Sequence, residues 1–325
     1  MKTKYLLFVL PLVALCACNK NGLETQENDV VSISAAYGEN NDTKTVLTES
    51  GTSPYTYAMT WSGTESLSVW YLNTRPYTKY TFDYGSETTG VANFTTESFK
   101  TGGFETDDEF FVAYGNNNVI ARAGTSDQYY AVVSVPAVQT YNSSDIRLGL
   151  SDNFIPMLGY IKVGDGDYPK NNIKLSTCVA IIKLVLTNGT GSAQTINNIT
   201  LTTSNEVGKS KRLGIAGQMY CEGTLGGKKP VTPMFYDPGV SRSTSEPLYA
   251  GSAKNTIKLN CGNISIAKDE TKVFSFVVCG KIKYNTLTWK AWSDSESTVQ
   301  VGSTITSPNC PALNYGKIYT KTAIL

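Results

Sequence analysis

Thr78-Lys79-Tyr80-Thr81-Phe82-Asp83-Tyr84 decides the fold class, because its residues change character at every step. Thr78, Tyr80, Phe82 and Tyr84 fall on one side of an extended chain, and Lys79, Thr81 and Asp83 on the other. That is the period of a strand with one covered face. Just upstream, Ser66-Leu67-Ser68-Val69-Trp70-Tyr71-Leu72 repeats it, with Leu67, Val69 and Tyr71 together. Downstream, Val179–Leu186 is the most hydrophobic run after the first 18 residues and reads as a central core strand. Further strand-like runs lie at 29–37, 109–114, 129–135, 155–163, 196–203, 213–220, 256–260, 271–279, 286–292 and 317–325. Turn material such as Gly102-Gly103, Asn116-Asn117-Asn118, Asp165-Gly166-Asp167 and Gly226-Gly227 separates them. No window of helical length carries an apolar stripe at i, i+3, i+4, i+7. The reading is all-β, built from antiparallel sandwiches.

Composition narrows the function. Lys and Arg number 28 against 27 Asp and Glu, so the chain lacks the basic excess that nucleic-acid binding requires. The absence of His removes Ser-His-Asp and Cys-His catalysis and His-based metal sites together. A length of 325 residues suggests about two domains. The turn-rich stretch 164–172 divides them best, giving an N-terminal sandwich over 29–170 and a C-terminal sandwich over 171–325. The segment 221–247, with Pro230, Pro233, Pro238 and Pro247, reads as a long irregular excursion on the second.

The N-terminus carries an address. Lys2 and Lys4 precede a short apolar stretch from Tyr5 to Ala14, and then comes Leu15-Cys16-Ala17-Cys18. This resembles a bacterial lipobox, with an apolar residue at −3 and a small one at −1 before the lipidated cysteine. Cys18 fits that cysteine, and Cys16, with Leu15 before it, does not. Residues 1–17 are then a lipoprotein signal peptide and 18–28 a lipidated tether that joins the protein to a membrane. The alternative is an ordinary secretory signal with a small-residue cut site. A spanning anchor takes ~20 apolar residues, more than this run supplies.

The remaining cysteines, Cys178, Cys221, Cys261, Cys279 and Cys310, are odd in number and form no C-x-x-C pair. They permit at most two disulfides, and most read as buried thiols, with Cys178 on the face of Ala180, Ile182 and Leu184. No cofactor and no metal site is indicated. Among acids, Asp107-Asp108-Glu109 reads as a charged strand entrance, and Asp165-Gly166-Asp167 as a turn that lacks the later ligands of a calcium loop. A two-carboxylate hydrolase would leave no mark that identifies its acids, and the chain reads as a non-enzyme. Trp70, Trp289 and Trp292 are the aromatics to weigh as a sugar-stacking platform, against the commoner fate of packing beneath a neighbour. Trp289 and Trp292, three apart, belong to opposite faces of a strand.

Several segments together resemble the fimbrillin family of lipoprotein pilins, the type V fimbrial subunits. They are the lipobox, Val30–Tyr37, Thr43-Lys44-Thr45, Trp61 before Leu67-Ser68-Val69-Trp70, Glu109–Tyr114, Asn153-Phe154-Ile155-Pro156-Met157, Cys178–Leu184 and Leu313–Tyr319. One departure is Gly63-Thr64-Glu65-Ser66, where the family commonly has Gly-Asp after the Trp. The resemblance implies two tandem transthyretin-like sandwiches, export as a lipidated precursor, and display on the outer membrane or in a fimbrium. It implies other fimbrial subunits, a trypsin-like processing protease and a host or glycan receptor as partners. It also implies assembly by strand exchange after the first strand is cut away. A surface glycan-binding lipoprotein is the alternative function.

Residues 29–45 carry the mechanistic expectation. Val31, Ile33, Ala35 and Tyr37 alternate with Ser32 and Ser34, as a first strand covering a core would. Lys44 is the one basic residue in the polar loop that follows, which marks it as the candidate processing site, with Arg75 and Arg122 as alternatives. The run Lys317–Leu325 is the candidate donor strand, represented by Ile318, Tyr319 and Ile324. If its own domain needs that strand, the protein accepts a strand without donating one, as a tip subunit would.

Overall fold

The computed structural model describes residues 31–37, 48–50, 55–58, 61, 63–74, 77–88, 91–99, 105–114, 119–123, 128–143, 155–163, 173–177, 179–204, 207–208, 211–212, 214–224, 254–280, 282–314 and 316–325. Cys18, Lys44, Arg75, Cys178, the stretch 164–172 and most of 221–247 lie outside them. The described residues form strands and turns and contain no helix, as the period of two requires.

The strands of the first half are β1 (Val31–Tyr37), β2 (Thr48–Ser50), β3 (Tyr55–Ala58), β4 (Ser66–Tyr71), β5 (Thr78–Thr88) and β6 (Val91–Thr96). They continue as β7 (Glu109–Tyr114), β8 (Val119–Ala123), β9 (Gln128–Val135), β10 (Val138–Thr140), β11 (Met157–Lys162) and β12 (Ile173–Thr177). The second half holds β13 (Val179–Thr187), β14 (Gln194–Thr203), β15 (Val207–Gly208), β16 (Lys211–Arg212), β17 (Gly217–Thr224) and β18 (Thr256–Ile266). It ends with β19 (Thr271–Cys279), β20 (Ile282–Lys283), β21 (Thr286–Trp292), β22 (Gln300–Pro308), β23 (Ala312–Leu313) and β24 (Lys317–Ile324).

Seven strands of the first half close into a barrel in the order β1-β12-β11-β7-β4-β5-β6, with β6 returning to β1. Leu67, Val69, Phe82, Phe94, Phe110 and Val112 are fully buried in it. Trp61 meets Phe94 edge-on at 4.8 Å and Tyr114 at 5.6 Å. β4 and β7 are buried on both faces, not one. Ser68 and Trp70, on the side that looks less apolar in sequence, are therefore inside too. Trp70 lies 5.7 Å from Phe111, and the Lys79 ammonium stands 5.5 Å over its ring.

Two five-stranded sheets follow, β10-β18-β14-β21-β22 and β19-β13-β24-β3-β2. Val179–Thr187 is β13, and it lies between antiparallel β19 and parallel β24. Leu184 sits opposite Phe274, and both are fully buried. Both sheets borrow from the first half. β10 pairs in parallel with β18, and β3 pairs with the start of β24. β9 likewise pairs with β17, so residues 221–224 complete a strand instead of opening an irregular excursion. A side chain adds a further tie: buried Gln139 donates from Nε2 to the Val277 carbonyl at 2.7 Å and accepts from the Val277 N–H at 3.0 Å. Val277 is on the edge strand β19, so the Gln139 amide stands where another strand's backbone would.

Candidate assembly site

β1 is the strand that closes the barrel. It pairs antiparallel with β6 from Val31–Thr96 to Ala36–Val91, and in parallel with β12 from Ala35–Ile173 to Tyr37–Leu175. The two ladders overlap at Ala35 and Ala36, and Ala35 is fully buried. Its partners Ala92 and Ile173 are buried, as are Phe94 on β6 and Leu175 on β12. Taking β1 away would therefore leave two backbone edges unpaired and uncover apolar side chains on both. A strand from another chain can restore both kinds of interaction at once. The polar segment with Lys44 follows β1 in sequence and lies outside the described residues. The alternative site Arg122 is within β8, where its backbone pairs with Tyr130.

The candidate donor residues sit together on β24. Seven residue pairs, Ile181–Ile318 through Thr187–Ile324, join β24 to β13. Lys317 and Ile318 also pair with Thr56 and Tyr55 of β3. Ile318 is buried between its two neighbours, while the Ile324 side chain is 66% exposed. The Tyr319 hydroxyl accepts from the Asn314 N–H at 2.7 Å and donates to the Ala312 carbonyl at 3.2 Å. The Leu325 N–H reaches the Thr187 carbonyl at 2.9 Å. Gly302, at φ 66°, lets the Leu325 backbone approach so closely that a Cβ there would stand 3.0 Å from it. In this conformation β24 is built into its own sheet along its whole length.

The groups weighed for chemistry have structural employment. Asp108 is buried, accepting from the Tyr71 hydroxyl and from the Glu105 N–H, each at 2.9 Å. The Lys162 ammonium lies 3.4 Å from Asp107 and 3.9 Å from Glu109. This triplet fixes the start of β7, as a charged strand entrance should. Glu65, in the departure from the family pattern, holds the turn at Gly63 by accepting from the Gly63 and Thr64 N–H groups at 2.8 and 3.1 Å. Among the described residues no group of three His, Cys, Asp or Glu side chains is placed to hold a metal ion. Cys261, Cys279 and Cys310 are buried. Burial pushes the Cys261 thiol up to about 12, so it stays protonated. Trp70 and Trp289 are buried and offer no stacking face. Trp292 is half-buried, its indole N–H on the Thr200 hydroxyl at 2.9 Å and the Lys290 ammonium 5.9 Å over its ring.

Sequence reasoning missed a cleft between β21 and β24. It holds about 370 Å³ and is lined by Ile182, Leu287, Trp289, Cys310, Leu313 and Lys321, with Tyr319 at its wall. Nothing in the spacing of these residues signals it, because they come from four separate parts of the chain.

No family model matches the chain, and no curated protein matches it in sequence. Among solved structures, it is similar to a candidate cell adhesion protein from Bacteroides uniformis, at 10% identity and a TM-score of 0.43, over 82% of this chain and 88% of that one. A second, from Bacteroides ovatus and similarly described, gives 13% identity and a TM-score of 0.39, over 81% and 83%. The tip fimbrial protein Mfa3 from Porphyromonas gingivalis, in a form with a C-terminal truncation, gives 12% and 0.31, over 86% and 80%.

Proposed function

We propose that this chain is a lipoprotein subunit of a surface fimbrium, and that it accepts a strand from a partner subunit after β1 is cut away. The observation that carries the reading is the position of β1. It is the element that completes a barrel, it is held by two ladders, and a polar segment containing Lys44 follows it. Cleavage after Lys44 releases lipid, tether and β1 together and leaves the β6–β12 gap for an incoming strand. The engagement of β24 with both β13 and β3 supports an acceptor or tip role over a stalk role, since donating β24 would dismantle its own sheet. Within this reading, residues 29–170 and 171–325 are two tandem units joined by the shared strands β3, β9, β10 and β12.

Limited trypsin digestion with N-terminal sequencing tests it. The expected product is a stable fragment beginning at Thr45 that binds a peptide copy of Val31–Tyr37, while the uncut chain does not. In cells, Cys18→Ser should lose labelling by a fatty-acid analogue and accumulate precursor. A stable fragment beginning elsewhere, or SDS-resistant multimers formed equally well by Lys44→Ala, would defeat the proposal.

A further inference from the structure

Apart from strand exchange and without resting on it, we propose that the cleft between β21 and β24 binds a small apolar molecule carrying one carboxylate, such as a medium-chain fatty acid or an aryl carboxylic acid. Its volume of about 370 Å³ is at the small end of ordinary ligand sites. Ile182, Leu287, Cys310 and Leu313, all buried, make the apolar lining.

One charged donor in that lining is unanswered. Lys321 sits opposite Leu184 on β13, between the pairs Ile182–Tyr319 and Leu186–Ala323. Residues two apart on a strand share a face, so this lysine stands on the side of β24 that looks toward the core. It forms no ion pair among the described residues. Trp289 is only 1% exposed and its indole N–H is closed off from the cleft, so the ring adds apolar wall and no donor. A carboxylate, which only accepts, answers the Lys321 ammonium by charge and by hydrogen bonding. The rest of the lining suits an alkyl or aryl body.

The wall is fixed before any ligand arrives. The Tyr319 hydroxyl bonds both Asn314 and Ala312, and Leu313 pairs with Ile282 of β20. That tie crosses from β24 to the 312–314 segment and blocks an extended chain from running along β24 through the cleft. A compact molecule needs no such path.

Decanoate, with decanol and decylamine as comparators, tests the proposal by titration calorimetry on the purified protein. Alkylation of Cys310, followed by mass spectrometry, gives a second readout that does not depend on a variant folding. Decanoate should bind one saturable site, with decanol roughly tenfold weaker, as the loss of a charge-assisted bond requires. Lys321→Gln should erase that preference, and decanoate, unlike decylamine, should slow alkylation of Cys310. Equal binding of acid and alcohol, a preference that survives Lys321→Gln, or no saturable binding would overturn the assignment. Protection of Cys310 by a β-strand peptide but not by decanoate would also overturn it, and would make the cleft a peptide dock.

Discussion

Gln139→Met removes an amide while keeping the length and most of the volume of the side chain, and its effect can be worked from three hydrogen bonds. Nε2 donates to the carbonyls of Val277 at 2.7 Å and Pro136 at 3.1 Å, and Oε1 accepts from Val277 N–H at 3.0 Å. Val277 is fully buried, so methionine leaves its N–H and C=O without these partners and without water. Each stranded backbone group costs about 1–3 kcal/mol, which puts the loss at about 3–4 kcal/mol after partial relaxation. Against a typical total of about 5–15 kcal/mol that is a large fraction. Urea unfolding followed by tryptophan fluorescence should show the midpoint falling by about 1 M, for a slope of about 3 kcal/mol/M. Hydrogen exchange at the Val277 amide should accelerate in parallel. Gln139→Glu supplies the sign check. Burial raises that carboxyl above its unfolded value, so the variant is least stable at neutral pH and recovers as pH falls toward the unfolded carboxylate range. A Gln139→Met midpoint within ~0.2 M of the parent, well inside the loss expected from a stranded pair, would refute the argument. It would mean that main-chain pairing of β3, β9 and β10 joins the two halves without help from this amide.

Two further outcomes are expected. Phe94→Ala should cost about 3–5 kcal/mol in urea unfolding, because Phe94 is fully buried and meets Trp61 and Tyr84 edge-on at 4.8 and 6.0 Å; a loss below ~1 kcal/mol, far under the usual range for a buried ring, would mean this end of the barrel is loosely packed. The Asp294 carboxylate, which accepts from Val299 N–H at 2.8 Å and from Thr298, is held down to about 2, chiefly by the Val299 bond. Its contribution is full above the unfolded carboxylate pKa and is lost as pH falls through about 2, so Asp294→Ala should flatten the acid limb of a stability–pH curve and leave its neutral shape alone.

Strands with a clean apolar face were legible in the sequence, and strands without one were not. Val179–Thr187, Thr271–Cys279 and Thr286–Trp292 match the observed β13, β19 and β21 to within a residue. β22 escaped because Gln300–Pro308 buries only Val301 and Ile305, leaving an edge strand of Ser, Thr and Gly that reads as loop. β10 escaped because three residues carry no period, and its hold comes from the Gln139 amide, which no alternation rule reports. Trp70 illustrates a different limit. Period two tells which residues share a face, not whether the opposite face meets water, and in β4 neither face does. The site shows the same division. The first strand and the C-terminal strand were visible as patterns, whereas the cleft at Lys321 and Trp289 exists only once β13, β21 and β24 are side by side.

The place of β24 has a consequence for how the molecule comes into being. Residues 317–324 are made after both of their sheet neighbours, β13 and β3, whose residues precede them by some 140 and 260 positions. That sheet has a missing middle until β24 is delivered. Contacts so distant in sequence form slowly, since the loop must close before any pairing rewards it. A chain threaded across a membrane from its N-terminus would therefore stay pliable during transit, with β2 and β3 waiting for a neighbour. The moment of locking falls after β24 has emerged, so emergence and folding of this sheet are coupled by strand order alone.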